Sequence, residues 1–162
     1  MTPKDKEKEF IDLIHQHSKL IYKVCYVYAS DADELNDLYQ ETVINLWRAH
    51  DSFQGQSKYS TWLYRIALNT CVSFMRQKHR KPSVVPISVD IENIVEEESK
   101  VEQLKELYRL INQLTKIEKA IVLLYLEEKS YDEIAEIMGL TRTNVAVKLN
   151  RIKAKLKEMS NQ

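Results

Sequence analysis

Apolar residues recur at helical spacing along most of the 162-residue chain. In the first half, steps of three and four residues predict three long helices. Their apolar positions are Phe10, Leu13, Ile14, Ile21, Val24 and Tyr28, then Leu35, Leu38 and Leu46, then Leu63, Ile66, Ala67 and Phe74. Stripes in the second half predict about four shorter helices. With only two glycines and three prolines, hairpin-rich β structure is not expected, so the sequence predicts an all-α fold.

Capping signals place several helix starts. Thr2 precedes a proline, the arrangement of an N-cap followed by proline at the first helical position. Three further sites pair an N-cap residue with a glutamate three residues later, the spacing of a capping box. These are Asp31 with Glu34, Thr115 with Glu118, and Ser130 with Glu133.

Charge divides the chain into three parts although the net charge is zero. Residues 1–81 and 101–162 each carry a net charge of +2, whereas residues 82–100 carry −4 and two of the three prolines. Because this middle stretch lacks helical periodicity near its start and its acids repel one another, we interpret it as an acidic linker. The sequence thus predicts two small helical domains, 1–81 and 101–162, joined by the linker 82–100.

Several classes of function are disfavoured. No apolar run reaches the roughly 18 residues of a membrane span, and the start of the chain does not resemble a signal peptide, so we expect a soluble cytoplasmic protein. Cys25 and Cys71 lack the paired spacing of a zinc site, and buried packing is their simplest role. His15 and His17 lack the i, i+4 spacing of a metal pair, and no nucleotide-binding or nucleophile motif occurs. We therefore expect neither enzymatic activity, nor a cofactor, nor a metal.

The last thirty residues predict a helix-turn-helix. A short capped helix ends at Gly139, the only glycine of the second half, and Thr141 caps a longer helix. That last helix carries an apolar stripe beside a polar, mostly cationic one, and it has six basic residues but no acidic one from Arg142 to Lys157. Cationic helix faces are commonly just solvated, but after a glycine turn and a capped helix this pattern favours insertion into the major groove of DNA.

Aromatic and cationic residues alternate in the third predicted helix. Tyr59, Trp62 and Tyr64 lie next to Lys58 and Arg65. Bases of single-stranded DNA stack on aromatic rings while cations contact phosphates, so this pattern is compatible with single-strand binding. The spacing alone favours packing of Trp62 and Tyr64 in the core, which is the more common role of such residues.

Three segments in this order resemble one protein family. They are NDLYQETVINLW, then STWLYRIALN, then the terminal helix-turn-helix. Together they resemble an extracytoplasmic-function (ECF) sigma factor of bacterial RNA polymerase, and the resemblance covers roughly residues 8–158. It implies a transcription initiation factor that binds core RNA polymerase and directs it to promoter DNA. Members of the family are commonly held inactive by an anti-sigma factor, often membrane-bound, so such a partner is implied as well.

The resemblance also implies roles for individual residues. The family's acidic second helix binds the polymerase clamp, which corresponds here to Asp37, Leu38, Gln40, Glu41 and Asn45, with Trp47 packed inside the domain. Recognition and opening of the minus-ten element corresponds to Lys58, Tyr59, Trp62, Arg65 and Asn69, with Arg76 and Arg80 on phosphates. Reading of the minus-thirty-five element corresponds to Arg142, Thr143, Asn144, Val147, Lys148 and Arg151.

The chain departs from the family pattern in the last helix. Family members often carry a glycine near its start and an arginine at position 148, where this chain has Thr143-Asn144 and Lys148. Lysine contacts a base as a point charge, whereas arginine can donate two parallel hydrogen bonds to it. The base preferred at position 148 is therefore left open. An alternative interpretation is a dimeric helix-turn-helix regulator that acts without polymerase. It would explain residues 101–162 but would leave the acidic and aromatic helices at 31–75 without a role.

Overall fold

The described residues of the protein are helical. A computed structural model describes residues 2–53, 55, 58–78 and 101–161, and within these ranges there is no β-strand. The chain divides into two compact units, Met1–Ile94 and Val95–Gln162. The predicted all-α class is therefore confirmed. The predicted linker, residues 82–100, lies outside the described residues, so its boundaries stay a prediction.

Among its described residues, the first unit consists of four α-helices and a short 3₁₀ turn. The helices are α1 Pro3–Gln16, α2 Ser18–Tyr28, α3 Ala32–Ala49 and α4 Tyr59–Lys78, and the 3₁₀ turn is His50–Ser52. The predicted N-caps are present: the side chains of Thr2 and Asp31 accept hydrogen bonds from the backbone N–H groups of Asp5 and Glu34. The capping box predicted at Asp31 is not complete, because the carboxylate of Glu34 accepts from the backbone N–H of Ser30 at 3.0 Å. Such caps satisfy amide hydrogens that have no partner inside the helix.

The first predicted helix is two helices, separated at His17. The backbone of His17 leaves the helical range with φ −112° and ψ 16°. Its ring Nδ1 lies 2.9 Å from the carbonyl oxygen of Leu13, and the hydroxyl of Ser18 donates to the carbonyl of His15 at 3.1 Å. Polar side chains that bond to nearby carbonyls compete with the regular backbone pattern, which accounts for the break.

Large aliphatic side chains fill the core of the first unit. Ile21 and Val24 of α2, Leu38 and Leu46 of α3, and Leu63 of α4 are all inaccessible to solvent. Burying each such side chain contributes roughly 1.5–3 kcal/mol. Helix α3 packs against both α2 and α4, which fixes the side of α3 that faces outward.

Both cysteines lie in this core. Cys25 and Cys71 are fully buried, and Cys25 Sγ lies 3.7 Å from Thr42 Oγ1. A hydrogen bond with Cys25 and burial raise the pKa of the Cys71 thiol well above its usual value. A thiol that is buried and protonated is a poor nucleophile. The placement agrees with the packing role that the sequence suggested.

The second unit is the predicted helix-turn-helix preceded by two helices. These are α5 Val101–Ile111 and α6 Lys116–Leu126, followed by α7 Tyr131–Met138 and α8 Arg142–Ser160. Thr115 and Ser130 form complete capping boxes with Glu118 and Glu133. Gly139 takes the left-handed conformation, with φ 68° and ψ 35°, at the end of α7. Helix α8 has 19 residues, which confirms the longer helix predicted after Thr141 but not the expectation that all four helices of this half are short.

We expect Gly139→Ala to destabilise the second unit by about 1–2 kcal/mol. An added Cβ would meet no atom within 4 Å, so the cost comes from the left-handed backbone alone. Gly139→Asn should cost less, because asparagine tolerates this conformation, and Gly139→Val should cost more. Urea unfolding followed by circular dichroism tests this order. Equal losses in all three variants would contradict the backbone explanation.

Candidate partner and nucleic-acid interfaces

The outer face of α3 is acidic at one end and apolar at the other. Asp37, Gln40 and Glu41 are exposed, as the sequence interpretation required. Ile44 and Trp47 continue the same face one and two turns later, with 44% and 46% of their surface exposed. Residues three and four apart share a helix face, so these five form one continuous surface, here called the α3 face.

Two assignments on α3 are reversed in the structure: a residue expected at the surface is buried, and a residue expected in the core is exposed. Leu38 was expected to contact the polymerase, but it is fully buried and packs in the core. Trp47 was expected inside the domain, but nearly half of it is exposed. One edge of its ring meets Phe10, with ring centroids 5.0 Å apart, and it stacks on His50 at 6.3 Å. Both assignments are corrected by the register of α3.

The register was readable from the sequence. The buried residues of α3 are Leu35, Leu38, Thr42 and Leu46, with steps of three and four. Trp47 follows Leu46 directly and so stands about 100° around the helix from it. A polar core position, Thr42, obscured this stripe. The exposed Ile44 and Trp47 are the residues of the α3 face that sequence reasoning missed.

Asn45 ties α3 to α4. Its side-chain amide donates to Thr70 Oγ1 at 3.0 Å, and that hydroxyl donates to the carbonyl of Ile66 at 2.8 Å. The half-buried Asn45 and the buried Thr70 thus satisfy part of each other's hydrogen-bonding capacity. Asn45, assigned to polymerase binding, has its amide engaged inside the unit, whereas Asp37 and Glu41 present their carboxylates to solvent.

An open groove of about 620 Å³ runs between α3 and α4. Polar and apolar side chains from both helices line it. The residues that line it are Asp37, Glu41, Asn45, Ala49, Ile66, Asn69, Thr70, Ser73, Phe74 and Gln77. The structure therefore places Asn69, assigned to the minus-ten element, together with residues assigned to polymerase binding.

Three aromatic rings gather at the start of α4. The centroids of Phe53, Tyr59 and Trp62 lie 5.2–5.5 Å apart, and His17 contacts Tyr59 at 5.2 Å. Each ring of this aromatic cluster is half-buried. Burial and the nearby charge of Glu9 raise the pKa of Tyr59. Phe53 was not among the predicted residues, although it is the one aromatic residue in the loop between α3 and α4.

Cations flank the aromatic cluster along α4. Lys58 is exposed just before the helix, Arg65 is half-buried one turn into it, and Arg76 is exposed near its end. Residues 62, 65, 69 and 76 share a face by helical spacing. Arg80 lies outside the described residues. The buried Tyr64, by contrast, packs in the core.

Helix α8 separates an apolar and a polar face. Val145, Leu149 and Ile152 are buried with at most 1% exposed. The assigned minus-thirty-five residues lie on the outer faces, where all but the half-buried Lys148 are exposed. The exposed ones are Arg142, Thr143, Asn144, Val147 and Arg151. Thr141 caps the helix by accepting a hydrogen bond from the backbone of Asn144 at 3.1 Å.

Two of the cations on α8 contact carboxylates of neighbouring helices. Arg142 pairs with Asp132 of α7, and Lys155 pairs with Glu118 of α6 at 3.1 Å. Partial burial raises the pKa of Glu118, but hydrogen bonds from Thr115 and Lys155 outweigh it, so the pKa is lowered overall. Glu118 thus caps α6 and fixes α8 with one carboxylate.

The part of the chain that the structure describes carries neither a metal-site signature nor a membrane-span signature. There, no three histidine, cysteine, aspartate or glutamate side chains are grouped so that they could hold a metal ion. Among the helices described, none has the length and apolar character that a membrane crossing needs.

Comparison with known proteins identifies both units. Residues 13–81 match Sigma-70 region 2, and residues 104–156 match Sigma-70 region 4. The ECF RNA polymerase sigma-E factor of Escherichia coli K12 is 35% identical over 149 positions, which cover 83% of this chain and 78% of that protein. The ECF RNA polymerase sigma factor SigW of Bacillus subtilis strain 168 is 28% identical over 175 positions, with 91% and 87% covered.

Solved structures show the same fold. The sigma factor RpoE of Bartonella quintana, bound to the anti-sigma factor NepR, matches with a TM-score of 0.77 at 22% identity, covering 95% of this chain and 98% of that one. CnrH, bound to the cytosolic domain of CnrY, matches with a TM-score of 0.70 at 20% identity, covering 96% and 89%. The dimeric regulator is not favoured. Two sigma regions in the family's order, on the fold of its members, place this chain among the ECF sigma factors of bacterial RNA polymerase, which are transcription initiation factors.

Proposed function

We propose that this sigma factor docks on core RNA polymerase through the α3 face, opens the minus-ten element with α4, and reads the minus-thirty-five element with α8. The observation that carries the proposal is the segregation of each helix into a buried apolar stripe and an exposed face of distinct chemistry. The three faces match three different ligands: a protein surface, unpaired bases, and a duplex groove.

The α3 face has the composition of a protein-binding surface. Exposed aromatic and aliphatic side chains at the centre of an interface supply most of the affinity, and a charged rim sets orientation and association rate. Trp47 and Ile44 are suited to the first role, and Asp37 and Glu41 to the second. The complementary surface of the polymerase would be basic around an apolar centre. Asn45 would act by holding α3 against α4.

The aromatic cluster supports the minus-ten assignment. A base that leaves the duplex loses stacking worth a few kcal/mol, and stacking on a ring restores about 1–3 kcal/mol. Tyr59 and Trp62 keep part of their rings exposed while they brace each other and Phe53. Lys58, Arg65, Arg76 and Arg80 would contact the backbone of the opened strand, and Asn69 would lie at the edge of this surface.

The exposed side of α8 supports reading of duplex DNA. Arg142, Thr143 and Asn144 stand at the N-terminal end, the part of a recognition helix that reaches base edges. Val147, 41% exposed, is placed to contact a thymine methyl group. Lys148 and Arg151 would contact phosphates or base edges further along the groove.

The chemistry is binding alone. No bond is made or broken by this chain, and RNA synthesis belongs to the polymerase, so we propose no enzymatic activity and no cofactor. A protein with zero net charge binds DNA weakly by itself. Once polymerase fixes both units on one promoter, the second DNA contact becomes intramolecular and its effective concentration rises. Its place of action would be the cytoplasm.

An anti-sigma factor is the remaining proposed partner. RpoE of Bartonella quintana is bound to one. We infer that a protein of this kind, soluble or membrane-anchored, controls the present chain too. Occlusion of the α3 face would suffice, because docking on polymerase precedes both DNA contacts.

We expect Asp37→Arg and Trp47→Ala each to weaken binding to core polymerase by tenfold or more. The first reverses a rim charge, and the second removes the largest exposed apolar side chain of the α3 face. Titration of fluorescently labelled protein with bacterial core polymerase measures the loss.

Matched controls separate docking from folding. Asp12→Arg reverses an exposed carboxylate on α1, and Ile11→Ser removes an aliphatic side chain as exposed as Ile44. Neither should change polymerase affinity more than twofold, whereas Ile44→Ser should. Equal losses in the α1 and α3 variants would refute the docking assignment.

We expect Lys148→Arg to narrow base choice at one position of the minus-thirty-five element. Arginine donates two hydrogen bonds to guanine, which favours guanine over other bases by roughly 1–3 kcal/mol. Lysine contacts guanine only as a point charge. Selection from randomised duplex DNA by the holoenzyme reads out the change. Lys157→Arg, on the last turns of the same helix, should select the same sequences as the unaltered protein. If the Lys148→Arg variant selects the same sequences as the unaltered protein, Lys148 does not read a base.

A further inference from the structure

An acidic residue of α7 holds the first residue of the recognition helix. Arg142 Nη1 lies 3.2 Å from Asp132 Oδ2, across the turn that Gly139 makes possible. Both side chains remain largely exposed, at 68% and 71%. The contact therefore orients the guanidinium on the surface without burying it.

Stability does not explain the pair. Exposed ion pairs contribute little to folding, since solvent screens the attraction and ordering two long side chains costs entropy. An aspartate in the first turn of α7 is itself favourable through the helix dipole, with or without Arg142. The distinctive consequence of the pair is that one nitrogen of the guanidinium is occupied and the side chain has fewer orientations.

Those two effects matter where DNA binds. In a helix-turn-helix, the N-terminal end of the second helix enters the major groove and the first helix crosses the phosphate backbone. Arg142 begins α8, and Asp132 stands in the first turn of α7. An arginine with free rotation can contact any nearby phosphate, which gives affinity without sequence information. A carboxylate at this place neutralises that attraction and leaves the rest of the guanidinium available to a base edge.

We infer that Asp132 is a positioning residue that sets base choice through Arg142 and suppresses the contacts of Arg142 with phosphates of unrelated DNA. This inference rests on the proposed reading of the minus-thirty-five element by α8. It extends that proposal by naming a residue that contacts no base and yet determines specificity.

Asp132→Asn tests the inference with two measurements. The full-length protein is first titrated with a mixed-sequence 30-base-pair duplex over a series of salt concentrations. Affinity should rise about threefold to tenfold at low salt, and the slope of log K against log salt should steepen by about 0.9, the value of one added phosphate contact. The holoenzyme then selects from duplexes randomised over the minus-thirty-five region. The preference at the base pair that Arg142 reads should fall by about fivefold to a hundredfold.

Three variants make the result specific. Asp132→Glu keeps the charge and should restore most of the base preference. Glu136→Gln removes an exposed carboxylate one turn later on α7 and should leave base preference unchanged. In an Arg142→Ala background, Asp132→Asn should alter neither the salt slope nor the selected sequences, because the residue acts through Arg142.

The possible results distinguish a failure of this inference from a failure of the proposed minus-thirty-five reading by α8. If Arg142→Ala relaxes base choice but Asp132→Asn has the same effect with and without Arg142, Asp132 acts only through net charge or the helix dipole, and the inference is overturned. If Arg142→Ala leaves the selected sequences unchanged, the assignment of Arg142 to base reading fails first. If Asp132→Asn weakens the base preference in the unaltered protein but has no further effect in the Arg142→Ala background, the result supports both the inference and the proposed reading by α8.

Discussion

The fully buried Leu38 and Leu46 hold α3 against its neighbours, and the functional geometry of the first unit follows from that packing. Because these two side chains face inward, Asp37, Gln40 and Glu41 must face outward beside them. The same packing brings Asn45 within reach of Thr70 and forms the wall of the groove beside α4. Under the proposed docking mode, a substitution that unseated either leucine would impair polymerase binding without altering a residue of the α3 face.

The second unit applies the same constraint to DNA recognition. Val145, Leu149 and Ile152 fix the rotation of α8, so its remaining faces are available to a groove. The contacts of Asp132 and Glu118 then act on individual cations of that helix. Packing sets the direction in which the helix points, and the inferred role of Asp132 is to limit the contacts that Arg142 can make there. The zero net charge of the chain is compatible with the proposed function, in which polymerase holds both units on one promoter.

Local signals in the sequence predicted much of this fold. The capping boxes at Thr115 and Ser130 and the glycine at 139 were identified correctly, because each depends on a few adjacent residues. The break at His17 was missed because it arises from side-chain bonds to carbonyls rather than from glycine or proline.

Sequence reasoning was weaker on the sites. Leu38 and Trp47 were exchanged between core and surface because the buried stripe of α3 includes a polar residue, Thr42, which hid the rotation of the helix. The placement of Asn69 beside Asp37 and Glu41, and the pairing of Arg142 with Asp132, depend on how two helices pack. No spacing rule within one helix could reveal either. The acidic and cationic character of the faces was predictable, and the side-chain contacts between helices were not.

The buried cysteines have a practical consequence for experiments on this molecule. Cys25 and Cys71 are its only thiols, and both are sealed from solvent in the folded first unit. A maleimide dye added to the folded protein will therefore find only a cysteine introduced at the surface. Single labels can be placed on either unit with both native cysteines kept, and fluorescence can follow the two units as polymerase and promoter are added.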